Sequence, residues 1–365
     1  MYLHTVNATT ALSTFDGSGG GTDQLASGWN TGGGIIPHGP LPLPPSATVL
    51  NYGQGLFEGL KAFRREDGKI VIFRPYKNAE RCRSGCTRLL IPPVPDDVFV
   101  SAVKQCVRAN AQYVPPYRQG ALYLRPLVFG SGAKLGVSAS DEFTLCVWCS
   151  PVGNYFGGGG KGGVEDVPPI TLLASNVYRR SCEGGVGGTK FIGNYAAVFK
   201  CQSETKMKGF NEALFLDANT GRGIEEAGAS NFFAVLEKGG KKTLVTPGLD
   251  KGTILPGVTR DTVIRVAREV LGITVEERRL SLDELGSCVE AFCCGTGASL
   301  TPVGEVVEEI GEGEEKKYKC WRGERKAGEI TRRIYDVIQG IMWGDGEEEI
   351  EEKYGEWVEV VEPEE

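Results

Sequence analysis

Histidine is nearly absent from this chain: among 365 residues only His4 and His38 carry an imidazole, both near the N-terminus. A Ser-His-Asp hydrolase, a histidine-ligated zinc site or a histidine general base each needs an imidazole set among its partners, so the chemistry falls to another residue type. Long apolar runs are missing as well. No stretch approaches the ~18 consecutive apolar residues of a membrane span, and "MYLHTVNATTALSTFDG" lacks the charged start and apolar core of a secretory leader. Nor is there net positive charge. The 40 Lys and Arg stand against 47 Asp and Glu, and the resulting formal charge of −7 opposes nonspecific nucleic-acid binding. Much of the negative charge sits in "GDGEEEIEEKYGEWVEVVEPEE", which reads as a solvated C-terminal end.

What is present fits a globular α+β protein. The chain is 41% apolar and 24% charged, and its length exceeds the size at which single cores usually stop growing, ~250 residues, so two domains are expected. Its 11 cysteines are scattered, and Cys293 adjoins Cys294, which suits a reducing compartment better than a disulfide scaffold. The one C-x-x-C, Cys146 to Cys149, lies in a β-rich run where positions i and i+3 face opposite sides, so two inert thiols on a buried strand are expected rather than a redox pair.

Residues 1 to 45, rich in Gly, Ser, Thr and Pro, read as an irregular lead-in. A small α+β domain follows over 46 to 153, with a strand in "KIVIFRP", helices at about 76 to 90 and within 96 to 114, and strands "ALYLRPLVF" and "FTLCVWCS". The Gly- and Pro-dense run 154 to 169 reads as an interdomain linker. A larger domain over 170 to 345 alternates strands such as "ITLLAS", "EALFLD", "NFFAVLEK", "TLVTP", "GITVEERRL" and "VEAFCCG" with helices near 193 to 207, 259 to 271 and 326 to 342, and an acidic tail occupies 346 to 365.

One lysine stands out. In "GGVGGTKFIGNYAAVFK" Lys190 follows the glycines at 184, 185, 187 and 188 and precedes an apolar "FIG" and a helix. A lone lysine is ordinarily a surface charge. Here permissive backbone lets a bound group approach, and a lysine partly removed from water has a lowered amine pKa, so its neutral amine can attack a carbonyl to form a Schiff base. If that carbonyl belongs to pyridoxal phosphate, the site also needs an anion for the pyridine nitrogen and donors for the phosphate. The acidic pair Glu225 and Glu226 in "GRGIEEAGASNFFAV" offers the first. The Pro-Gly turn that opens a helix at Val258 and Thr259, and the Gly-Thr turn at Thr296 and Gly297, offer the second.

The segments "NYGQGLFEGLKAFR", "FRPYKNAERC", "GALYLRPLVFG", "GGTKFIGNYAAV", "EEAGASNF", "ILPGVTR" and "GTGASLTPVG", in that order, resemble the branched-chain amino-acid aminotransferases of fold type IV. "SPVGNYF" and "NYAAVFKCQSETKMKGFNEALFLD" are similar to the branch found in photosynthetic eukaryotes. The resemblance implies a small α+β N-terminal domain, a larger mixed α/β domain with a β-barrel-like core, and a pyridoxal-phosphate enzyme that exchanges the amino group of leucine, isoleucine or valine with 2-oxoglutarate. It implies that Lys190 carries the cofactor, that Tyr195 hydrogen-bonds the ring oxygen and that Glu226 faces the pyridine nitrogen. Glu225, adjacent on a strand, points to the other face. Arg81, the N–H groups of Val258 and Thr259 and the hydroxyl of Thr296 would bind the phosphate. Phe57 and the partner subunit's Tyr52 would form the apolar side-chain pocket of a homodimer, and Tyr123, Arg125 and the Gly297–Ala298 backbone would recognise carboxylates.

Two departures from the family follow. It ordinarily has a further segment ahead of "MYLHTV", so an opening strand and any organelle-targeting peptide are expected to be missing here, which leaves plastid, mitochondrion and cytoplasm open. The Gly-rich stretch 157 to 163 falls where the family has a mobile loop over the substrate. Relatives of the same fold that act on D-amino acids or eliminate pyruvate from aminodeoxychorismate share the lysine and phosphate sites, but "NYGQGLFEGLKAF" and "GALYLRP" are not expected with them. The alternative from another class is an inactive binding protein on the same scaffold.

Overall fold

The structure is a computed structural model that describes residues 1–7, 28–29, 32–153, 163–297, 299–311 and 313–362. The chain divides into two compact units, one formed by Met1–Val152, Thr189–Gly193 and Gly355–Glu365, the other by Gly153–Gly188 and Asn194–Tyr354.

In the first unit the chain runs through strands β1 (Tyr2–Asn7) and β2 (Gly34–Ile35), a short helix α1 (Thr48–Tyr52), and strands β3 (Gly55–Phe57), β4 (Leu60–Arg64) and β5 (Ile70–Phe73). Helices α2 (Pro75–Arg88) and α3 (Asp96–Ala109) and the long strands β6 (Ala121–Gly130) and β7 (Glu142–Val152) follow. Helix α2 begins with proline at its first position, where the missing N–H costs nothing, and α3 carries Asp96 and Asp97 in its first turn, where they meet the positive end of the helix dipole. Of the positions that helical spacing picks out, Phe99, Val103, Cys106 and Val107 of α3 are fully buried in the core of this unit, whereas Ala111 lies past the end of α3 in a 3-10 turn and is half-buried.

The lead-in read as irregular is partly ordered strand. β1 pairs antiparallel with β7 from Tyr2↔Val147 to Asn7↔Glu142, and its alternating burial matches the pleat. His4 is buried there, edge-on to Trp29 with ring centroids 5.3 Å apart, so one of the two histidines is an aromatic core residue. Cys146 and Cys149 stand on opposite faces of β7 as expected, and burial pushes the Cys146 thiol up, but Cys149 is only half-buried and a hydrogen bond with Cys106 pulls its thiol down.

The second unit holds β8 (Ile170–Ser175), α4 (Ile192–Ala196), α5 (Phe199–Met207), β9 (Glu212–Leu216), β10 (Gly223–Ala227), β11 (Asn231–Lys238) and β12 (Lys241–Thr246). It continues with α6 (Val258–Glu269), β13 (Val275–Glu277), β14 (Leu280–Ser281), β15 (Cys288–Gly295), β16 (Ser299–Gly311), β17 (Glu314–Lys319), α7 (Glu329–Trp343) and α8 (Glu348–Tyr354). Its strands follow the order β11-β15-β16-β8-β9-β10, and the pair Glu226↔Asn231 joins β10 back to β11, closing a barrel. Phe233 and Phe292 stack across β11 and β15 at 5.1 Å.

Three expectations change. The helix read over 193 to 207 is two helices, α4 and α5, and "GITVEERRL" forms two short strands rather than one. Of the expected linker, residues 154 to 162 lie outside the described residues, as does the Gly-rich stretch 157 to 163 apart from Gly163, while Val164 and Val167 are buried. The acidic tail is not a solvated end. α8 is followed by strand β18 (Val358–Val361), which pairs antiparallel with β5 of the first unit from Val358↔Phe73 to Val361↔Ile70. Tyr354, Trp357 and Val361 supply buried apolar anchors between the glutamates, and Glu359 pairs with Lys104 at 2.7 Å.

Candidate active site

Lys190 lies in the short segment that packs with the first unit. Its carbonyl accepts a hydrogen bond from the Phe57 N–H at 3.1 Å, and Phe191 forms an isolated bridge with Leu56. Gly55 nearby is a tight position, where a Cβ would sit 3.1 Å from Phe129 Cβ and 3.3 Å from Ile192 Cδ1. Lys190 Nζ stands 4.8 Å from the centroid of the Phe57 ring, and the Arg125 guanidinium lies 4.6 Å from the same centroid. Phe57 is in register with Leu127 on β6, so it shares a face with Arg125 and Tyr123, two and four residues back along that strand. Arg125 Nη2 donates to Tyr123 Oη at 3.2 Å, and Arg125 Nε is buried with no hydrogen-bond partner among the described residues. Side chains expected to recognise the substrate are thus brought together around Phe57.

Arg81 projects from α2 and donates from Nε to Glu58 Oε1 at 2.8 Å and from Nη2 to Glu58 Oε2 at 2.6 Å. Tyr52, at the end of α1, is exposed and its hydroxyl accepts from the Gly136 N–H at 2.9 Å, in the loop that joins β6 to β7.

The second unit gathers the other expected groups around the barrel seam. Glu226 is buried, and its Oε1 lies 2.7 Å from Arg180 Nη1 and accepts from the Leu255 N–H at 3.0 Å. Its Oε2 accepts from Asn231 Nδ2 at 3.1 Å. Asn231 also donates to the Leu255 carbonyl at 3.0 Å, three residues before Val258 opens α6. Gly257, at the N-cap of α6, is required there, since a Cβ would collide with Asn231 Oδ1. No side chain caps α6, so the first-turn N–H groups beginning at Val258 and Thr259 present the positive dipole end. Asn231 pairs in register with Cys294, and Gly295 with Ser299, so Thr296 and Gly297 form the hairpin turn beside this seam. Ala298 lies outside the described residues. Tyr195 is half-buried on α4.

Sequence reasoning missed Arg180. It is buried, and besides Glu226 its Nη1 meets the Gly187 and Thr253 carbonyls at 3.4 Å. Glu225 faces the other side of β10. Burial, with the Glu226 charge beside it, pushes its carboxyl up to about 7 against a hydrogen bond from the Thr253 side chain.

These donor sets suit pyridoxal phosphate. Within the second unit, Glu226 is a buried carboxylate of the kind that suits a ring N–H and the uncapped α6 N-terminus is of the kind that suits a phosphate; within the first, Lys190 offers an amine lying against an aromatic ring. Residues 55–306 match the profile of the family described as Amino-transferase class IV. The chain is 43% identical over 319 residues to branched-chain-amino-acid aminotransferase 5, chloroplastic, of Arabidopsis thaliana, a match that covers 87% of this chain and 71% of that protein. It is 40% identical over 337 residues to the branched-chain-amino-acid aminotransferase of Mycolicibacterium smegmatis, with 88% and 87% covered. The solved branched-chain amino acid aminotransferase from Thermobaculum terrenum in its PLP form matches with a TM-score of 0.68 at 28% identity, covering 85% of this chain and 90% of that one.

The chain belongs to the branched-chain group of the class IV aminotransferases. As a branched-chain aminotransferase it takes pyridoxal phosphate as cofactor and transfers the amino group of branched-chain amino acids. Among the described residues no helix is long and apolar enough to cross a membrane.

Proposed function

We propose that this chain moves the amino group of L-leucine, L-isoleucine or L-valine to 2-oxoglutarate through Lys190, in two half-reactions at one site. Bound pyridoxal phosphate supplies an electron-withdrawing ring that stabilises the charge left on Cα when its proton departs. The protein's own residues do the rest. Lys190 would hold the cofactor through Nζ, and with an amino acid bound in its place the same Nζ would serve as the base that takes the Cα proton and as the acid that returns it to the cofactor carbon. Glu226 keeps the ring nitrogen protonated, with Arg180 and Asn231 fixing the carboxylate that does so. Arg81, the Val258 and Thr259 N–H groups and the Thr296 hydroxyl hold the phosphate, and Tyr195 holds the ring oxygen.

The second half-reaction brings in an acidic side chain where an apolar one has left. Phe57, with the partner subunit's Tyr52, would give the apolar wall, and Tyr123, Arg125 and the Gly297 and Ala298 N–H groups would take the carboxylates. The buried, unpartnered Nε of Arg125 suits this role, since an anion would satisfy a donor that otherwise costs energy. A homodimer of two-fold symmetry is part of the proposal, because it would bring each site the Tyr52 of the other subunit.

The reading rests chiefly on the Glu226 clamp, in which a guanidinium at 2.7 Å, a backbone N–H and an amide hold one buried carboxylate beside a helix N-terminus. The test is a glutamate-forming assay with each of the three amino acids and 2-oxoglutarate. Turnover with all three that vanishes in Lys190→Ala supports the reading; turnover confined to D-amino acids contradicts it.

A further inference from the structure

Three consecutive residues at the corner between β3 and β4 each attend to a different group of the proposed site. Phe57 lies against Lys190 and Arg125, Glu58 grips Arg81, and Gly59 leaves room for the Tyr123 hydroxyl, which a Cβ would strike. Of the three, Glu58 has no evident role in the chemistry. Its side chain is 0% exposed, and its carboxylate accepts from Arg81 Nε at 2.8 Å, Arg81 Nη2 at 2.6 Å and Asn78 Nδ2 at 2.8 Å. Its own N–H is tied to the Pro126 carbonyl at 2.8 Å, so the carboxylate is carried on backbone already fixed to β6.

A buried ion pair of this kind is a poor source of stability. Desolvation of the two charges cancels much of their attraction, and a pair of apolar side chains would serve the core as well. What the fork does achieve is orientation. Arginine has a long stem with several rotatable bonds and a rigid planar head, and gripping the Nε–Nη2 edge fixes the plane of that head. Asn78, one turn earlier on α2, fixes the carboxylate in turn by binding both Glu58 and the Gly59 carbonyl at 3.2 Å.

We propose that Glu58 is a positioning residue for the cofactor phosphate: by clamping one edge of the Arg81 guanidinium it aims the remaining N–H donors at the phosphate, although its negative charge alone would weaken the attraction. The inference rests on the reading of Arg81 as a phosphate ligand. Two effects of Glu58 therefore oppose each other, orientation favouring phosphate binding and charge opposing it, and orientation prevails.

The experiment compares binding of pyridoxal phosphate and of pyridoxal, which lacks the phosphate, to the apoprotein by quenching of tryptophan fluorescence. Variants are Glu58→Gln, Arg81→Met and the double change Glu58→Met with Arg81→Met, which leaves no unpaired buried charge and keeps a foldable control. Glu58→Gln should weaken pyridoxal phosphate about tenfold or more while leaving pyridoxal within about twofold. Arg81→Met should show the same selective loss, and the double variant should lose no more selectivity than Arg81→Met alone. Equal weakening of both ligands in Glu58→Gln would reduce Glu58 to a structural role, and unchanged or tighter pyridoxal phosphate binding would show that charge prevails; either overturns the proposal. Extra loss of selectivity in the double variant overturns it too, since Glu58 would then act other than through Arg81. If Arg81→Met keeps full selectivity, the reading of Arg81 has failed and the proposal falls with it.

Discussion

Glu225 and Glu226 are neighbours on one strand and meet opposite surroundings. Glu226 is gripped by Arg180 at 2.7 Å and by two further donors, whereas Glu225 Oε2 is buried with no hydrogen-bond partner among the described residues. The pleat sends the two carboxyls to opposite faces, and only one face holds the guanidinium. Glu226→Gln should retain the cofactor but lose about 10²-fold or more in kcat, because a neutral amide cannot keep the ring nitrogen protonated. Glu225→Gln should lose less than about tenfold. Steady-state kinetics on both variants checks the register, and a reversed order would place the ring on the Glu225 side.

Glu225 also gives the protein a pH-dependent weakness. Its carboxyl is raised from the ordinary 4.5 to about 7, chiefly by burial, so the unfolded chain ionises first and stability falls as pH rises through that window. Glu225→Gln removes the term. Chemical unfolding should find the variant more stable than the wild type by about 1–3 kcal/mol at pH 8, with a smaller difference at pH 5.

Arg180→Met leaves the buried Glu226 carboxylate without its cation. A loss of stability of about 3–5 kcal/mol is expected, together with a large fall in kcat. Adding Glu226→Gln to Arg180→Met should recover part of the stability and none of the rate. Thermal unfolding and kinetics measured on the same samples separate the two effects.

These relationships mark how far the sequence could be read. Periodicity located α3 through Phe99, Val103, Cys106 and Val107, and strand alternation assigned Glu226 and Glu225 to opposite faces, because both signals are local. Arg180 carried no such signal: in "VYRRS" two arginines adjoin, and only the fold tells that Arg180 turns to Glu226 while Arg179 binds the Ser175 carbonyl. Glu58 likewise read as one letter in a motif until α2 brought Arg81 to it. Strands β1 and β18 were missed for the same physical reason. Their partners β7 and β5 lie far away along the chain, and Gly-rich or Glu-rich composition conceals a short strand whose pairing is entirely non-local.

Tyr52 provides a test of assembly. Its hydroxyl is anchored to Gly136, and the residue is 39% exposed. If it completes the site of the other subunit, Lys190→Ala and Tyr52→Ala proteins, each impaired alone, should form mixed dimers with one intact site. Titration of one into the other should restore activity toward about half the wild-type rate per mixed dimer. No recovery despite subunit exchange, shown by mass, would assign Tyr52 to its own chain.

Attachment of the cofactor to Lys190 is tested most directly by borohydride reduction of the holoenzyme, followed by proteolysis and mass mapping of the pyridoxyl group. The label is predicted on the peptide that contains "GGTKFIGNY", at Lys190 and in a ratio near one per chain, with none in Lys190→Ala. A label on any other lysine, or undiminished labelling of Lys190→Ala, would contradict the assignment.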